Sequence, residues 1–307
     1  MAKTEGGVVN RKRVLAGAVV VLALVVSTVA SAWSSSAQAS AVSSIPNFKH
    51  VVVVVFENHS YADIAGNDTA PTFNSLATQY AQLTNYDGVA HPSLPNYIAL
   101  VSGSTQGITS DCITCISKAK NLADSLDAAH KTWKTYAEDL PKAGSTVAFS
   151  KNYAKKHDPL MHFKDIVSSA KRRAHIVPFT KLAGDVAYNR LPNFSLIVPN
   201  LVDDMHNSDV PTGDAWLNSN IVPLLSSPAL ASNSVVFVVF DEGEKTDHAG
   251  GGGQVFALAL GSAVTPGSTF AGATNHYGLL RTIEDAWKLP RLAKSAHATP
   301  ITGIWKG

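Results

Sequence analysis

Three runs of β-branched and aromatic residues end in polar residues, and these runs constrain the fold of this chain more than any other feature. The runs are Val51 to Phe56, Ser195 to Val198 and Ser234 to Phe240. Apolar runs without polar alternation are typical of strands buried on both faces, as in parallel sheets covered by helices. The polar residues that follow are Glu57, Asn58 and His59 after the first run, Asp203, Asp204 and His206 after the second, and Asp241 and Glu242 after the third.

Helical patterns alternate with these strands along the chain. Amphipathic spacing predicts helices over 71–80, 122–133 and 276–287, and the last of them begins with an imidazole. The alternation favours the α/β class, with a doubly wound, largely parallel sheet in α/β/α layers. Ligands bind beyond the carboxyl ends of the strands in such sheets, so the polar residues are expected to form a hard-metal or acid/base site.

The first 44 residues differ in composition from the rest of the chain. Arg11, Lys12 and Arg13 precede an apolar run from Val14 to Ala32. This order predicts a secretory signal peptide, and the alternative is an uncleaved membrane anchor, since about 20 apolar residues can span a bilayer. We therefore expect residues 1–44 to be a signal peptide and disordered leader, residues 45–307 to form one catalytic domain, and the protein to be secreted.

Charge and cysteine content narrow the possible partners. The 307 residues are 45% hydrophobic with a net charge of +2, so the chain can bury a full core and nothing in its composition calls for a nucleic-acid partner. Cys112 and Cys115 are too few for a structural zinc site, and behind a signal peptide their spacing predicts a short disulfide. The pair Lys155-Lys156 is typical of a solvated face, with anionic lipid headgroups as the alternative partner. Oligomeric state is not predicted.

Ser93 is a candidate nucleophile. Pro95 suits the first position of a helix, because its missing N–H costs nothing there. Ser93 would then lie at a helix N-terminus, where free N–H groups and the macrodipole favour a phosphate or an ionised alkoxide. The sequence around Ser93 lacks a G-x-S-x-G elbow, so an ordinary α/β-hydrolase triad has no support.

Four side chains offer oxygen ligands of the kind that hard divalent cations prefer: Glu57, Asn58, Asp241 and Glu242. The hydroxyl of Ser93 could complete such a site as a shared ligand. A divalent metal there, whose identity the sequence does not specify, would lower the pKa of the serine and neutralise charge on a substrate phosphate.

Three histidines, His157, His206 and His276, are candidates to hydrogen-bond phosphoryl oxygens or to protonate a leaving group. The glycine run 250–253 has no GK[ST] sequence and no following helix, so it predicts a flexible turn rather than a phosphate-binding loop.

At these residues the chain resembles the bacterial phosphoesterase family, a branch of the alkaline-phosphatase-like superfamily that includes acid phosphatases and phospholipases C. The resemblance covers essentially all of residues 45–307 and implies an alkaline-phosphatase-like α/β/α sandwich. The motifs that carry it are Glu57-Asn58, His91-Pro92-Ser93, Pro95-Asn96-Tyr97, Glu138-Asp139, Lys156-His157, Pro199-Asn200, Asp204-Met205-His206, Gly213-Asp214, Asp241-Glu242, His276-Tyr277 and Ile304-Trp305.

The resemblance implies a phosphoserine mechanism, in which the serine attacks phosphorus and water then releases phosphate. The loops from Ser104 to Lys118 and around Asp247 are expected to shape the substrate pocket. The implied positions are Ser93, His157 and His206 for catalysis, Glu57, Asn58, Asp241 and Glu242 for the metal, His91 and Asn96 for substrate binding, and Asp204 and His276 for a second metal as in two-metal relatives.

The expected function is that of a secreted, metal-dependent acid phosphatase acting on phosphate monoesters, with a phosphoinositide headgroup among the candidate substrates. A phospholipase C-type phosphodiesterase is the alternative enzyme, since it would share nucleophile and metal. A secreted binding protein that has lost the chemistry is the alternative from another class.

Overall fold

The structure is a computed structural model that describes residues 45–307, so the expected signal peptide and leader lie outside the described residues. No helix among residues 45–307 has the length and apolar composition needed to cross a membrane. The strands are β1 (His50–Phe56), β2 (Ala81–Leu83), β3 (Tyr86–Asp87), β4 (Trp133–Ala137), β5 (Phe149–Ser150), β6 (Tyr153–Ala154), β7 (Ile176–Pro178), β8 (Phe194–Val198), β9 (Ser234–Phe240), β10 (Gln254–Val255), β11 (Ala257–Leu260), β12 (Ser268–Phe270) and β13 (Thr274–Asn275). The α-helices are α1 (Tyr61–Ile64), α2 (Pro71–Gln79), α3 (Ser93–Ser102), α4 (Leu122–Ala128), α5 (Lys164–Val167), α6 (Ala170–Arg173), α7 (Lys181–Ala187), α8 (Val210–Asn220), α9 (Val222–Leu225) and α10 (His276–Trp287).

A central sheet of eight strands has the order β12-β2-β11-β9-β1-β8-β4-β7. The five strands from β9 to β7 run parallel, and β12 runs parallel to β2. Strand β11 is antiparallel to both of its neighbours. The prediction of a largely parallel sheet is confirmed. The three apolar runs form its centre, and every residue of β1, β8 and β9 is buried, which explains why these strands show no polar alternation.

Helices cover both faces of the sheet. Phe237 and Phe240 of β9 are three positions apart, so their side chains point to opposite faces. Phe240 packs on α2 through an aromatic contact with a centroid distance of 5.7 Å, and α2 contacts α8. Phe237 packs on Trp305 at 6.2 Å, and α3 and α10 contact each other. The backbone of Phe48, which also packs on Trp305, accepts a hydrogen bond from Trp287 of α10.

The predicted helices are found, and one of them is much shorter than predicted. Helix α2 ends one residue before the predicted end, and α10 has the predicted bounds. Helix α4 begins after the capping residue Asn121 but ends at Ala128, so the prediction of a helix to 133 is wrong. His130 has a φ of 55°, which breaks the right-handed helix, and Trp133 pairs with Phe194 in the sheet. Its apolar side chain belongs to a strand.

The parallel register brings the polar ends of the three central strands together. Phe56 of β1 pairs with Phe240 of β9, so Glu57 and Asp241 follow side by side. The N–H of Asp241 donates to the carbonyl oxygen of Phe56, and the N–H of Glu57 donates to the carbonyl oxygen of Asp204 after β8, both at 2.9 Å. The candidate site therefore lies at the carboxyl edge of the sheet, beyond β9, β1 and β8.

Candidate active site

Ser93 is the first residue of helix α3 and lies at its N-terminus. Pro95 is the third helical residue, so the prediction that it starts the helix is wrong by two positions, although it still lies in the turn where its missing N–H is tolerated. Pro92 at the N-cap position has no side chain that could accept a hydrogen bond. Asp111, from a later loop, caps the helix instead: its Oδ1 accepts the N–H of Leu94 at 3.0 Å.

The hydroxyl of Ser93 is buried among carboxylates. Its Oγ lies 2.8 Å from Glu57 Oε2 and 3.4 Å from Glu242 Oε1, and the side chain is only 2% exposed. A hydroxyl has one proton to donate, and the shorter contact identifies Glu57 as the acceptor. The serine is thus held with its oxygen at the carboxyl edge of the sheet.

The carboxyl groups around Ser93 are crowded in a site with little water. Burial raises the pKa of Glu57 well above its usual range, and the nearby charges of Asp241 and Asp204 raise it further. Burial also raises the pKa of Glu242, and the charge of Asp241 adds to that effect. Buried like charges at such short range are stable as ions only when cations compensate them. The site therefore favours a bound cation.

His157 lies between two of these carboxylates. Its Nδ1 is 3.1 Å from Asp204 Oδ2, and its Nε2 is 3.1 Å from Glu57 Oε1. The second distance alone would allow an ion pair, but burial lowers the pKa of His157 well below its usual value, so the ring is neutral. A neutral ring that donates from Nδ1 turns a lone pair at Nε2 toward Glu57. Neither His157 Nε2 nor Glu57 Oε1 has a hydrogen-bond partner among residues 45–307.

These orphaned acceptors fit a divalent cation. Glu57, His157 and His206 each present a ligand atom within 4.8 Å of the others, and Asp241 Oδ2 is a further buried oxygen without a hydrogen-bond partner among residues 45–307. Carboxylate oxygens and neutral imidazole nitrogens are common ligands of divalent metals. Asp204 accepts from the ring Nδ1 of His157 at 3.1 Å and from the backbone N–H of His206 at 2.8 Å, so it orients the imidazole of His157. Carboxylates commonly orient metal-binding histidines in this way.

The structure brings together the residues predicted as metal ligands, and it places the imidazoles of His157 and His206 beside them. Asn58 has a φ of 59°, its N–H donates to Asp241 Oδ1 at 3.2 Å, and its amide donates to Glu57 Oε2 at 3.3 Å. It therefore fixes two carboxylates relative to each other. His157 and His206, expected to contact phosphoryl oxygens, lie in the same group as Glu57 and can bind the metal itself.

His91 and Asn96, predicted to bind substrate, are engaged with the protein. The Oδ1 of Asn96 accepts two backbone N–H groups of the preceding loop, at 2.8 and 3.1 Å, and its Nδ2 donates to the carbonyl oxygen of Ala90 at 2.7 Å. His91 Nε2 donates to the carbonyl oxygen of Asp247 at 2.7 Å, and its Nδ1 lies 2.8 Å from Glu242 Oε2. Both side chains position the loop before Ser93 rather than offering free donors.

His276, considered for a second metal, has both ring nitrogens in hydrogen bonds. Nδ1 lies 3.0 Å from the hydroxyl of Tyr86, and Nε2 lies 2.5 Å from the carbonyl oxygen of Asp241. Burial lowers the pKa of His276 to about 4. The ring therefore supports the backbone after β9, and its geometry does not favour metal binding.

Sequence reasoning assigns no role in the site to three residues that the structure places there: Tyr97, Asp111 and Lys156. The ring of Tyr97 stacks on His157 with a centroid distance of 5.1 Å and an interplanar angle of 10°. Its spacing of one helical turn from Ser93 is a signal that could have found it. Lys156 is 13% exposed and bonds to Asp111, and Lys155 is 9% exposed, so the prediction of a solvated face is wrong for both lysines. Asp111 gives no local signal, since its partners are distant in sequence.

Both loops expected to shape the pocket lie against the site. Cys112 and Cys115 form the predicted disulfide immediately after Asp111. The glycine run forms a turn, but it packs more closely than predicted, since a Cβ on Gly251 would lie 2.8 Å from the carbonyl oxygen of Val89. This turn therefore abuts the loop that leads to Ser93.

Sequence comparisons agree on one family. The profile of the phosphoesterase family matches residues 66–290. The phosphatidylinositol-3-phosphatase of Mycobacterium tuberculosis is 37% identical over 266 residues, which cover 86% of this chain and 85% of that protein. A probable acid phosphatase of Kluyveromyces lactis is 31% identical over 304 residues, which cover 91% of this chain and 70% of that protein.

Solved structures share this fold, and one of them is a member of the alkaline phosphatase superfamily. A protein of the alkaline phosphatase superfamily from Vibrio parahaemolyticus superposes with a TM-score of 0.57 at 12% identity, covering 81% of this chain and 70% of that chain. The lipoteichoic acid synthase LtaP of Listeria monocytogenes has a TM-score of 0.59 at 9% identity, with coverage of 83% and 77%. At these identities the likeness establishes the fold, and the predicted fold class is confirmed.

Proposed function

The chain belongs to the phosphoesterase family and is a phosphoric ester hydrolase, and on that premise we propose that it is a divalent-metal-dependent phosphatase with Ser93 as nucleophile. The observation that carries the proposal is the position of the Ser93 hydroxyl, at the N-terminus of α3 and 2.8 Å from Glu57 Oε2. A phosphoryl group placed there meets the positive dipole end of the helix, where Asp111 already accepts the N–H of Leu94 and Pro95 has no N–H.

The chemistry has two half-reactions. Ser93 Oγ forms a bond to phosphorus while the bond from phosphorus to the alcohol oxygen breaks, and Glu57 Oε2 is the nearest acceptor for the hydroxyl proton. The alcohol takes a proton from water as it leaves. Water then attacks phosphorus, the bond to Ser93 Oγ breaks, and the serine regains its proton as inorganic phosphate departs. When bound, a divalent metal lowers the pKa of the serine and balances charge on the phosphoryl oxygens.

Glu57 and His157 would hold that metal, with Asp241 contributing its unpartnered oxygen, and His206 would join them in place of its present hydrogen bond from Lys156. Asp204 orients the imidazole of His157 through Nδ1 and accepts from the backbone N–H of His206, and Asn58 holds Glu57 and Asp241 in register. Carboxylate oxygens alone would suit a hard cation, whereas two imidazoles extend the choice to zinc, manganese or iron.

Monoester specificity and an acidic working range are part of the proposal. The Mycobacterium tuberculosis relative is named a phosphatidylinositol-3-phosphatase and the Kluyveromyces lactis relative a probable acid phosphatase, which supports a phosphoinositide headgroup as one candidate substrate. We also propose that residues 1–44 direct export, because of their basic and apolar order. Amino-terminal sequencing of the exported protein distinguishes a cleaved signal from a retained anchor.

Turnover of p-nitrophenyl phosphate and of bis(p-nitrophenyl) phosphate tests this function. Residues 45–307 are assayed between pH 4 and 9 with and without chelator, together with Ser93→Ala and the control Ser102→Ala, which removes another buried hydroxyl of α3. We expect chelator-sensitive monoester turnover that falls by at least about 10³-fold in Ser93→Ala and is retained in Ser102→Ala. Preference for the diester would indicate a phospholipase C-type enzyme, and no turnover of either ester by metal-loaded, folded protein would contradict the proposal.

A further inference from the structure

Lys156 is a half-buried cation beside the site that the proposed chemical steps do not use. Its side chain is 13% exposed, and its Nζ donates to Asp111 Oδ2 at 2.9 Å and to His206 Nε2 at 3.0 Å. An ammonium only donates, so His206 Nε2 accepts here, and the ring proton is on Nδ1, which lies 2.7 Å from Asn207 Oδ1. These two bonds leave one N–H of Lys156 without a partner among residues 45–307.

Asp111 connects this ammonium to the helix that carries the nucleophile. One oxygen of Asp111 accepts the N–H of Leu94, the residue after Ser93, and the other accepts from Lys156. The carboxylate thus fixes Lys156 relative to the first turn of α3.

The charge of Lys156 reaches the carboxyl groups of the site. It opposes the upward shifts in the pKa values of Glu57, Glu242 and Asp204, so these groups feel it as a nearby positive charge. If Lys156 had a purely structural role, it would only offset the repulsion between these carboxylates. Two features point beyond it: the uncommitted N–H, and the anchoring to the turn that presents the nucleophile rather than to Glu57 or Glu242.

We propose that Lys156 binds a non-bridging phosphoryl oxygen and makes the site selective for phosphate monoesters over diesters, with Asp111 as the residue that positions it. This inference rests on the proposed function and specifies its substrate class. Above its second pKa of about 6, a monoester presents a dianion with three terminal oxygens, whereas a diester is a monoanion in which one of them is replaced by an ester oxygen. A fixed, poorly solvated ammonium therefore favours the monoester.

Selectivity is measured as the ratio of kcat/KM for p-nitrophenyl phosphate to that for bis(p-nitrophenyl) phosphate, with metal content determined on each sample. Lys156→Met is compared with Lys156→Arg, which keeps the charge, and with Lys155→Met. Lys155 is the matched control, because it is the neighbouring buried lysine and its Nζ bonds to the carbonyl oxygen of Ile113, in the loop that also holds Asp111.

Lys156→Met is expected to lower monoester kcat/KM by about 10²-fold or more, the usual cost of losing one donor to a charged transition state. We expect Lys156→Met to show a clearly smaller loss for the diester and an unchanged metal content. Lys156→Arg should largely restore the ratio of monoester to diester kcat/KM. Lys155→Met should have the same ratio as the unmodified protein. Equal losses for both esters, or loss of metal that accounts for the effect, would overturn the proposal and leave a structural role.

Asp111→Asn gives the same test if Lys156→Met does not fold. Asp111 is 30% exposed, and the amide oxygen can still accept from Leu94 while the amide nitrogen no longer accepts from Lys156. We expect the ratio to shift in the same direction by a smaller factor, and an unchanged ratio would count against the proposal.

Calorimetric titration with inorganic phosphate separates failure of this inference from failure of the proposed function. If the unmodified protein turns over neither ester, the function fails, and weaker phosphate binding by Lys156→Met would still support the lysine as a phosphoryl ligand. If the unmodified protein is an active monoesterase and Lys156→Met has the same selectivity and phosphate affinity, the function stands and the role of Lys156 is refuted.

Discussion

The Nε2 of His157 and the Oε1 of Glu57 lie 3.1 Å apart inside the protein, and neither has a hydrogen-bond partner among residues 45–307. Two buried acceptors that face each other repel unless a proton or a cation lies between them. His206 adds a third ligand atom to the pair. This relationship is the strongest structural reason to expect a divalent metal.

Asp204→Asn is expected to weaken metal binding by about 10- to 100-fold. The amide oxygen would accept from the N–H of His206, which leaves the NH₂ group facing His157 Nδ1 and drives the ring proton to Nε2, where it blocks metal binding. Metal affinity is measured by competition with a chromogenic chelator. Asp203→Asn is the control, because Asp203 bonds to Asn200 outside the cluster, and equal affinities in the two variants would contradict the assignment of Asp204.

Gly103→Ala is expected to destabilise the fold more than Gly66→Ala. Both glycines have φ near 70°, so each alanine suffers about 1–2 kcal/mol of left-handed strain. A Cβ at Gly103 would also lie 1.9 Å from the carbonyl oxygen of Leu292, while nothing lies within 4 Å of a Cβ at Gly66. The added overlap should cost a further ~1–3 kcal/mol in the free energy of unfolding by urea. A similar loss in both variants would show that the backbone near Leu292 relaxes freely.

Glu284→Gln is expected to remove a pH dependence of stability that is independent of the metal. Burial raises the pKa of Glu284 from 4.5 to about 7, although Ser295 and the N–H of Leu292 donate to it. The folded protein holds the Glu284 proton more tightly than the unfolded chain does. Its contribution to the free energy of unfolding is therefore complete below the unfolded pKa of 4.5, is lost as the pH rises to about 7, and is constant above that pH. The unmodified protein should therefore lose about 3 kcal/mol relative to the variant between pH 4.5 and 8.

Urea unfolding of both proteins at several pH values measures this difference, and the exposed Glu244→Gln is the control. A constant difference between the unmodified protein and Glu284→Gln across this range would show that Glu284 is ionised in the folded state at every pH tested.

Replacing both Cys112 and Cys115 with serine is expected to lower stability by about 2 kcal/mol, as the short loop they close predicts. Monoester kcat/KM should also fall, because Asp111 directly precedes the disulfide and holds Leu94 and Lys156. Dithiothreitol should reduce the activity of the unmodified protein and leave that of the double variant unchanged. Full activity in the double variant would mean that Asp111 keeps its place without the disulfide.

Much of the architecture could be predicted from local patterns. The runs at β1, β8 and β9 contain no polar alternation, and only a sheet covered on both faces buries such strands. The polar residues directly after them are carried to one edge by the parallel direction of the strands, which is why Glu57 and Asp241 could be grouped in advance. The error at 122–133 arose because the apolar spacing of a helix and the first residues of a buried strand look alike.

The contacts that join separate loops could not be predicted. Asn96 and His91 carry groups that suit substrate binding. In the structure, however, these groups form hydrogen bonds to the loop before Ser93 and to the carbonyl oxygen of Asp247. The sequence predicts a surface charge at Lys156, because nothing in its neighbourhood in the sequence indicates burial. Its partner Asp111 is 45 residues away.

The sequence by itself determined the strands, the direction in which their ends point and the residue types available at the sheet edge, because these follow from side-chain alternation and backbone propensity over a few neighbouring residues. Only the tertiary structure decided which polar atoms are used up in hydrogen bonds and which remain unpartnered. That division depends on distances between loops far apart in the chain, and it separates His91, Asn96 and His276, which are engaged, from Glu57, His157 and Asp241, whose buried atoms remain free to bind a metal.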